Sequence, residues 1–236
     1  MKRNEEFTEV CGGIPTVKSE NKDTELVFII DRSGSMSGFE ADTAGGFNSM
    51  IEKQRAEGEG TVYVTTVLFD HRKEIVHDRV SIADVKPMTS RDCMAGGCTA
   101  LYDAIGDTVR HIESIHKYAR REDVPAHTVF VITTDGMENA SRNFTCGQVR
   151  EMIKNRTEKY GWEFIFVSAN IDAEESAAEI GIRAERTANY VQDSEGFVEC
   201  YAAMSDFVTM KRRNPRMSCS DTSWRGSLEK NQKSKE

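Results

Sequence analysis

Residues 25–36 read ELVFIIDRSGSM, and the strongest structural signal of the chain lies in them. Five apolar residues in a row, 26–30, followed at once by Asp31, are typical of a strand that is buried on both faces of a parallel sheet. Ser33 and Ser35 come next, so one carboxylate and two hydroxyls lie just past the carboxyl end of this strand. Open α/β sheets bind their ligands at that edge, where the strand order reverses.

A set of oxygen atoms of this kind favours a hard divalent cation. Mg²⁺ and Mn²⁺ both accept carboxylate, hydroxyl and water ligands, whereas zinc prefers nitrogen and sulfur. The pattern Asp31-x-Ser33-x-Ser35 alone also fits a strand end whose polar side chains cap a turn. Two segments further along the chain favour the metal site over the turn.

The first of these segments is the glycine-containing loop DCMAGGCT at 92–99, which leads into a helical pattern. Apolar residues recur at 101, 105, 112 and 115, a helical period that places Thr99 at or near the N-cap with its hydroxyl free to face a ligand. The second segment, TVFVITT at 128–134, is another continuous strand pattern, and it ends in Asp135 as the first strand ends in Asp31.

Six strand patterns alternate with helical patterns along the chain. This alternation predicts an α/β, Rossmann-like, doubly wound sheet that is mostly parallel and has helices on both faces. The short third pattern at 74–76 is close enough to the second to pair with it as an antiparallel edge strand. Right-handed crossovers then place the first and fourth strands side by side, so that Asp31 and Asp135 end neighbouring strands.

We expect one domain over 24–212, because 236 residues suffice for a single α/β core. The polar residues 1–23 are predicted to be a flexible N-terminal tail. The Ser- and Lys-rich residues 213–236 are predicted to be a disordered C-terminal tail.

Composition excludes some classes of function. The net charge is −8 and no basic stripe is interleaved with aromatic residues, which argues against a nucleic-acid partner. The sequence has no apolar leader and no membrane-length apolar run, so we expect a cytoplasmic protein without a membrane partner. Six cysteines show no zinc spacing, and we expect them to be reduced. Cys93 and Cys98 flank the candidate metal loop, either as oxidation-sensitive groups or simply as small, half-buried thiols.

Three separated motifs together resemble the metal-ion-dependent adhesion site of the von Willebrand factor A domain family: Asp31-x-Ser33-x-Ser35, Thr99 after Gly97-Cys98, and Thr134-Asp135-Gly136. The resemblance extends over about residues 24–210. It implies a six-stranded sheet with strand order 3-2-1-4-5-6.

By this resemblance, Ser33, Ser35 and Thr99 offer hydroxyl ligands to Mg²⁺ or Mn²⁺, and Asp31 and Asp135 act directly or through water. Three neutral ligands leave the ion electrophilic, so that it accepts an Asp or Glu carboxylate from a partner protein. The implied function is metal-dependent protein binding and not catalysis. With no signal, anchor or disulfide framework, the chain is similar to stand-alone cytosolic bacterial members, some of which are linked to stress or tellurite resistance.

Two other functions remain open at this stage. One is a Mg²⁺-dependent phosphohydrolase with Asp31 as nucleophile, although Ser33 stands where such an enzyme needs a second acidic residue. The other is a metal-free scaffold with the same fold. Glu138 and Asn139, just after Asp135, either contact the metal ligands or cap the next turn. The oligomeric state is not indicated by the sequence.

Overall fold

A computed structural model describes residues 21–57, 60–170, 172–214 and 220–235. The strands are β1 Thr24–Asp31, β2 Val62–Phe69, β3 Lys73–Ser81, β4 His127–Thr134, β5 Glu163–Ser168 and β6 Thr187–Asn189. The helices are α1 Glu40–Ala56, α2 Leu101–Tyr118, α3 Cys146–Tyr160, α4 Ala173–Glu179, α5 Ser194–Arg213 and α6 Gly226–Lys235. None of the helices in the described ranges is both long enough and apolar enough to cross a membrane.

The six strands form one sheet in the order β3-β2-β1-β4-β5-β6. Strands β2 and β3 are antiparallel, and all the other neighbouring pairs are parallel. This confirms the predicted doubly wound α/β sheet, its strand order and its antiparallel edge. The edge strand is longer than the predicted 74–76, because it pairs along nearly all of β2, from Phe69 with Lys73 to Tyr63 with Ser81.

Strand β1 divides the core into two layers. Its side chains alternate, so Leu26, Phe28 and Ile30 pack on one face of the sheet with residues of α1, α5 and α6. Val27 and Ile29 pack on the opposite face with residues of α2, α3 and α4. All five are completely buried, which explains why the strand is apolar without interruption.

The C-terminal segment differs from the prediction. Residues 213–236 were expected to be disordered, yet Trp224 and Leu228 are each only 2% exposed. They belong to a short helical turn and to helix α6, and they pack on the same face of the sheet as α5. Trp224 donates from Nε1 to the Glu185 carbonyl at 3.1 Å and meets the Phe207 ring edge-on. Two apolar anchors four residues apart therefore order a segment whose composition is otherwise that of a tail. Residues 215–219 and 236, like most of the predicted N-terminal tail (1–20), lie outside the described residues.

Candidate metal site

Three loops meet at the carboxyl edge of the sheet and bring the predicted site residues together. Strands β1 and β4 are parallel neighbours in register, with Ile30 beside Thr133, so Asp31 and Asp135 emerge side by side. The loop before α2 lies against the loop after β1, since the Gly34 amide donates to the Gly97 carbonyl at 3.1 Å.

Gly97 has a local reason to be glycine. Its φ is +74°, in the left-handed region that other residues rarely adopt, and a Cβ there would collide with the His71 ring. This conformation turns the chain so that Thr99 reaches the site. Thr99 lies one residue before the helix N-cap, which is Ala100.

The hydroxyls and carboxylates form a chain of short contacts. Ser33 Oγ lies 3.2 Å from Ser35 Oγ, and Ser35 Oγ donates to Asp135 Oδ1 at 2.6 Å. Thr99 Oγ1 and Ser35 Oγ are each 3.4 Å from the position that a Cβ on Gly136 would occupy, so this glycine leaves room between them. The structure thus brings Asp31 together with the other four predicted residues at one edge.

Both carboxylates are buried without a cation. Asp31 is 1% exposed and Asp135 is 2% exposed, and neither takes part in an ion pair within the described residues. The pKa of Asp31 is raised to about 6, because burial and, to a smaller extent, the neighbouring charge of Asp135 outweigh the hydrogen bonds from Thr134 and Ser33, which lower it. Arg32, between Asp31 and Ser33, pairs with Asp70 and Glu74 and not with either carboxylate of the site.

This donor set fits a hard divalent cation. The two negative charges lie in a site with several hydroxyl oxygens, and a buried charge without a partner costs free energy. A serine hydroxyl has two lone pairs, so Ser35 can donate to Asp135 and still offer an oxygen to a metal. The described ranges contain no group of three or more His, Cys, Asp or Glu that could hold a metal ion, and this site has only two carboxylates beside its hydroxyls.

Glu138 and Asn139 were expected either to contact the metal ligands or to cap the next turn, and each of them does one of the two. Asn139 holds a predicted ligand residue, because its Oδ1 accepts from the Thr99 amide and its own amide donates to the Thr99 carbonyl, both at 3.0 Å. Glu138 accepts from the Tyr102 amide in the first turn of α2 and from the Ser141 amide. Glu138 therefore caps a turn, and Asn139 orients Thr99.

Two residues that contact the carboxylates were missing from the predicted site. Thr134 Oγ1 donates to Asp31 Oδ2 at 2.6 Å, from the last position of β4. Gln192 Nε2 donates to Asp135 Oδ2 at 2.8 Å, and Asn170 Nδ2 donates to Gln192 Oε1 at 2.6 Å. Gln192 is 57 residues away from Asp135 in the sequence, in the loop before α5, and no local pattern marks it.

The two cysteines of the candidate metal loop differ in their exposure to solvent. Cys93 is 2% exposed, and burial raises the pKa of its thiol to about 12, so it is a core residue with little thiolate character. Cys98 is exposed. Both are free thiols, as are Cys146 and Cys200, whereas Cys11 and Cys219 lie outside the described residues.

No protein-family model and no curated protein matches the sequence. Solved structures do match. The vWF domain of the type V pili tip protein Mfa5 from Porphyromonas gingivalis has a TM-score of 0.61 at 10% identity, over 84% of this chain and 99% of that one. A von Willebrand factor type A protein from Catenulispora acidiphila has a TM-score of 0.55 at 14% identity, over 79% of this chain and 43% of that one.

The chain has the von Willebrand factor A fold. A third similar structure with this fold is proximal thread matrix protein 1 from the mussel byssus, solved with a zinc-occupied MIDAS motif, at a TM-score of 0.55 and 14% identity over 80% of this chain. The chain spans less than half the length of that protein and of the Catenulispora protein. At these identities the likeness concerns the fold, and the roles of individual residues rest on the geometry above.

Proposed function

We propose that this chain is a metal-dependent protein-binding module. The observation that carries the proposal is the pair of buried carboxylates, Asp31 and Asp135, which no protein cation neutralises in the described structure and which lie among hydroxyl oxygens. The similar structure with zinc at its MIDAS motif supports a divalent cation in this fold. The oxygen-only donor set favours Mg²⁺ or Mn²⁺ here.

The residues have distinct roles in this proposal. Ser33, Ser35 and Thr99 would offer hydroxyl oxygens, and Asp31 and Asp135 would hold the ion directly or through water. When bound, the metal would supply an open coordination position that attracts a carboxylate. Asn139 would keep Thr99 in place, because it bonds both backbone groups of that residue.

The partner that this chemistry selects is a protein that presents an Asp or Glu side chain. Nucleic acid is not expected, because the chain carries a net charge of −8. A role as an enzyme is not favoured either. A phosphohydrolase with Asp31 as nucleophile needs an acid/base group two residues on, and Ser33 occupies that position.

The first test is calorimetric titration of the full chain with Mg²⁺ and with Mn²⁺. We expect binding by the wild type and none by the Ser33→Ala/Asp135→Ala double variant. The matched control is Asp42→Ala/Ser49→Ala in helix α1, which removes the same side chains away from the site and is expected to bind as the wild type does. Equal binding by all three proteins would overturn the proposed site.

The second test concerns the partner. Immobilised wild-type protein is expected to capture a protein from the source organism's lysate in Mg²⁺ and to release it with EDTA. The Ser33→Ala/Asp135→Ala variant is expected to capture none. Capture that is indifferent to both EDTA and the variant would mean that binding does not pass through the metal, as the scaffold alternative requires.

We further propose that the protein acts in the cytoplasm of a bacterium as a stand-alone module with a role in stress. Support comes from the sequence resemblance alone. Deletion of the gene is expected to sensitise cells to tellurite or a related stress, with rescue by the wild type and not by the double variant. Normal growth of the deletion strain under such stresses would count against this setting.

A further inference from the structure

A cavity of about 500 Å³ lies at the opposite edge of the sheet from the metal site. Its walls come from the last turns of α2 and α3, and from the loop that enters β4. Trp162, just before β5, and Thr128, near the start of β4, lie between those walls. The volume is within the range of sites that enclose one small molecule. Strand β4 runs from this cavity to Asp135, so the two sites are roughly 25 Å apart along the strand.

One wall of the cavity carries positive charge that acidic side chains of the described residues neutralise only in part. Arg156 has an ion pair with Glu113 at 2.5 Å, but its Nε is buried and has no hydrogen-bond partner within the described residues. Lys117 lines the same cavity, is exposed and forms no ion pair in the described ranges. Two permanent cations thus face one carboxylate, that of Glu113, in a protein whose net charge is −8.

The second feature of the cavity is its aromatic lining. The Arg156 guanidinium lies 5.0 Å from the Tyr160 ring centre and 6.0 Å from that of Trp162. Trp162 also meets the His116 ring edge-on at 5.5 Å. Tyr160 is 62% exposed, one of a few large apolar side chains that remain in solvent. Trp162 is only 5% exposed and stacks on the Phe130 ring at 5.4 Å, so a flat apolar ligand would find most of its aromatic surface on Tyr160, beside the cations.

The His116 imidazole contacts a buried carboxylate that does not line the cavity. Its Nε2 lies 3.3 Å from the carboxylate of Glu25, which is completely buried and also pairs with Arg79. The free positive character of the cavity therefore comes from Arg156 and Lys117. An anion bound there would lie beside the Arg156 guanidinium and the Lys117 ammonium.

We propose that this cavity is a second binding site and that it takes a small aromatic organic anion, such as an arene carboxylate. The ring would pack mainly on Tyr160 and touch the small exposed part of Trp162, and the anionic group would lie between Arg156 and Lys117. The volume admits one or two rings with a carboxylate, which favours a small molecule over a peptide or a nucleic acid. This site shares no residue with the metal site, so either can exist without the other.

The test uses 1-naphthoate as the probe and NMR as the readout. The chain has two tryptophans, so its ¹H–¹⁵N spectrum has two indole signals, and Trp224→Phe assigns them. Trp162 lines the cavity, whereas Trp224 is buried on the other face of the sheet. We expect naphthoate to shift the Trp162 signal and to leave that of Trp224 in place. We expect naphthalene-1-carboxamide and 1-naphthylmethylammonium, which have the same ring system, to bind about tenfold more weakly.

Three variants that each remove one positive charge complete the test. Arg156→Gln is expected to weaken naphthoate binding about tenfold, and Lys117→Gln about threefold. Lys154→Gln, an exposed position on α3 outside the cavity, is expected to bind as the wild type does. If Arg156→Gln fails to fold, the exposed Lys117 variant decides the outcome. A Trp162 signal unmoved at about 5 mM naphthoate, equal binding of all three probes, or wild-type affinity in the Lys117 variant would each overturn the proposal.

Discussion

Strand β1 carries a buried carboxylate at each end, and the protein treats the two differently. Glu25, at the amino end, is completely buried and accepts from Arg79 Nε at 3.0 Å and lies 3.3 Å from His116 Nε2. Asp31, at the carboxyl end, is 1% exposed, and its donors among the described residues are neutral: the Ser33 amide and the Thr134 hydroxyl. The same strand therefore holds one neutralised carboxylate and one that is not.

Neighbouring strands repeat this difference. At the amino end of β5, Glu163 pairs with Lys211 at 2.7 Å and Arg186 at 3.0 Å. Burial alone would raise the pKa of Glu163, but these two cations hold it below its ordinary value. At the carboxyl end of β4, Asp135 accepts from Ser35 and Gln192, which carry no charge.

The comparison of the two edges indicates where the fold leaves a negative charge available to a ligand. A buried carboxylate without a countercharge is costly, and structural carboxylates at the amino edge are paired with the protein's own cations. At the carboxyl edge, no cationic side chain of the described structure offsets the free-energy cost of burying Asp31 and Asp135. We infer that an external cation offsets it there.

The largest expected effect comes from removing one of the two unpaired charges. Asp31→Asn keeps the size of the side chain and halves the charge of the site. We expect Mg²⁺ affinity, measured by calorimetry, to fall at least about a hundredfold while urea unfolding stays cooperative. Affinity within about threefold of the wild type would remove the distinction between the two edges.

Glu25→Gln is the reverse experiment at the amino edge. It leaves the Arg79 guanidinium without its buried countercharge, so we expect the free energy of unfolding to fall by about 2–3 kcal/mol. Metal affinity of the folded protein is expected to be unchanged. Glu74→Gln, an exposed partner of Arg32, is the control and should cost no more than about 0.5 kcal/mol in urea unfolding. A drop in metal affinity with Glu25→Gln would show that the edges are not independent.

Gln192→Ala tests whether the hydrogen bond from Gln192 positions the Asp135 carboxylate for the metal. It removes the amide donor to Asp135 Oδ2, and we expect Mg²⁺ affinity to fall about tenfold by calorimetry. Asn170→Ala, which frees Gln192 without touching Asp135, should act in the same direction and more weakly. Wild-type affinity in Gln192→Ala would mean that Ser35 alone positions Asp135.

The smallest expected effect is on stability as a function of pH. The pKa of Asp31 is raised to about 6 in the folded protein, so the folded state binds a proton more readily than the unfolded state does. For the metal-free protein, this group therefore adds about 1 kcal/mol to the free energy of unfolding as pH falls from 7 to 5.5, and the gain is lost as pH rises through 6. Metal affinity should fall over the same range, because protons compete for Asp31.

Urea unfolding of the wild type and of Asp31→Asn at both pH values isolates this contribution. The variant lacks the titrating group, so it should show the same background change without the added 1 kcal/mol. An identical pH response in the two proteins would mean that Asp31 is ionised as easily as an exposed carboxyl. It would then give no reason to expect a cation at this edge.

Local sequence was enough to predict much of the site. Continuous apolar strands that end in Asp31 and Asp135, together with right-handed crossovers, imply that the two carboxylates meet at one edge, and they do. Thr99 was placed by the period of helix α2. That these residues bind a metal stays a prediction. Helix α6 was missed because composition averages over a segment, whereas individual residues such as Trp224 and Leu228 anchor it.

The sequence by itself determined the order of the elements, the sheet edge at which the candidate site lies and the hydroxyl and carboxylate groups at that edge, because these follow from short-range patterns and chain-crossover rules. Only the tertiary structure decided which buried carboxylates are paired with a cationic side chain, since Arg79 and Glu25 are 54 residues apart in the sequence. It also decided that Gln192 meets Asp135 and that two helix ends enclose the cavity beside Trp162. Contacts of this kind depend on packing between distant elements, and no local pattern records them.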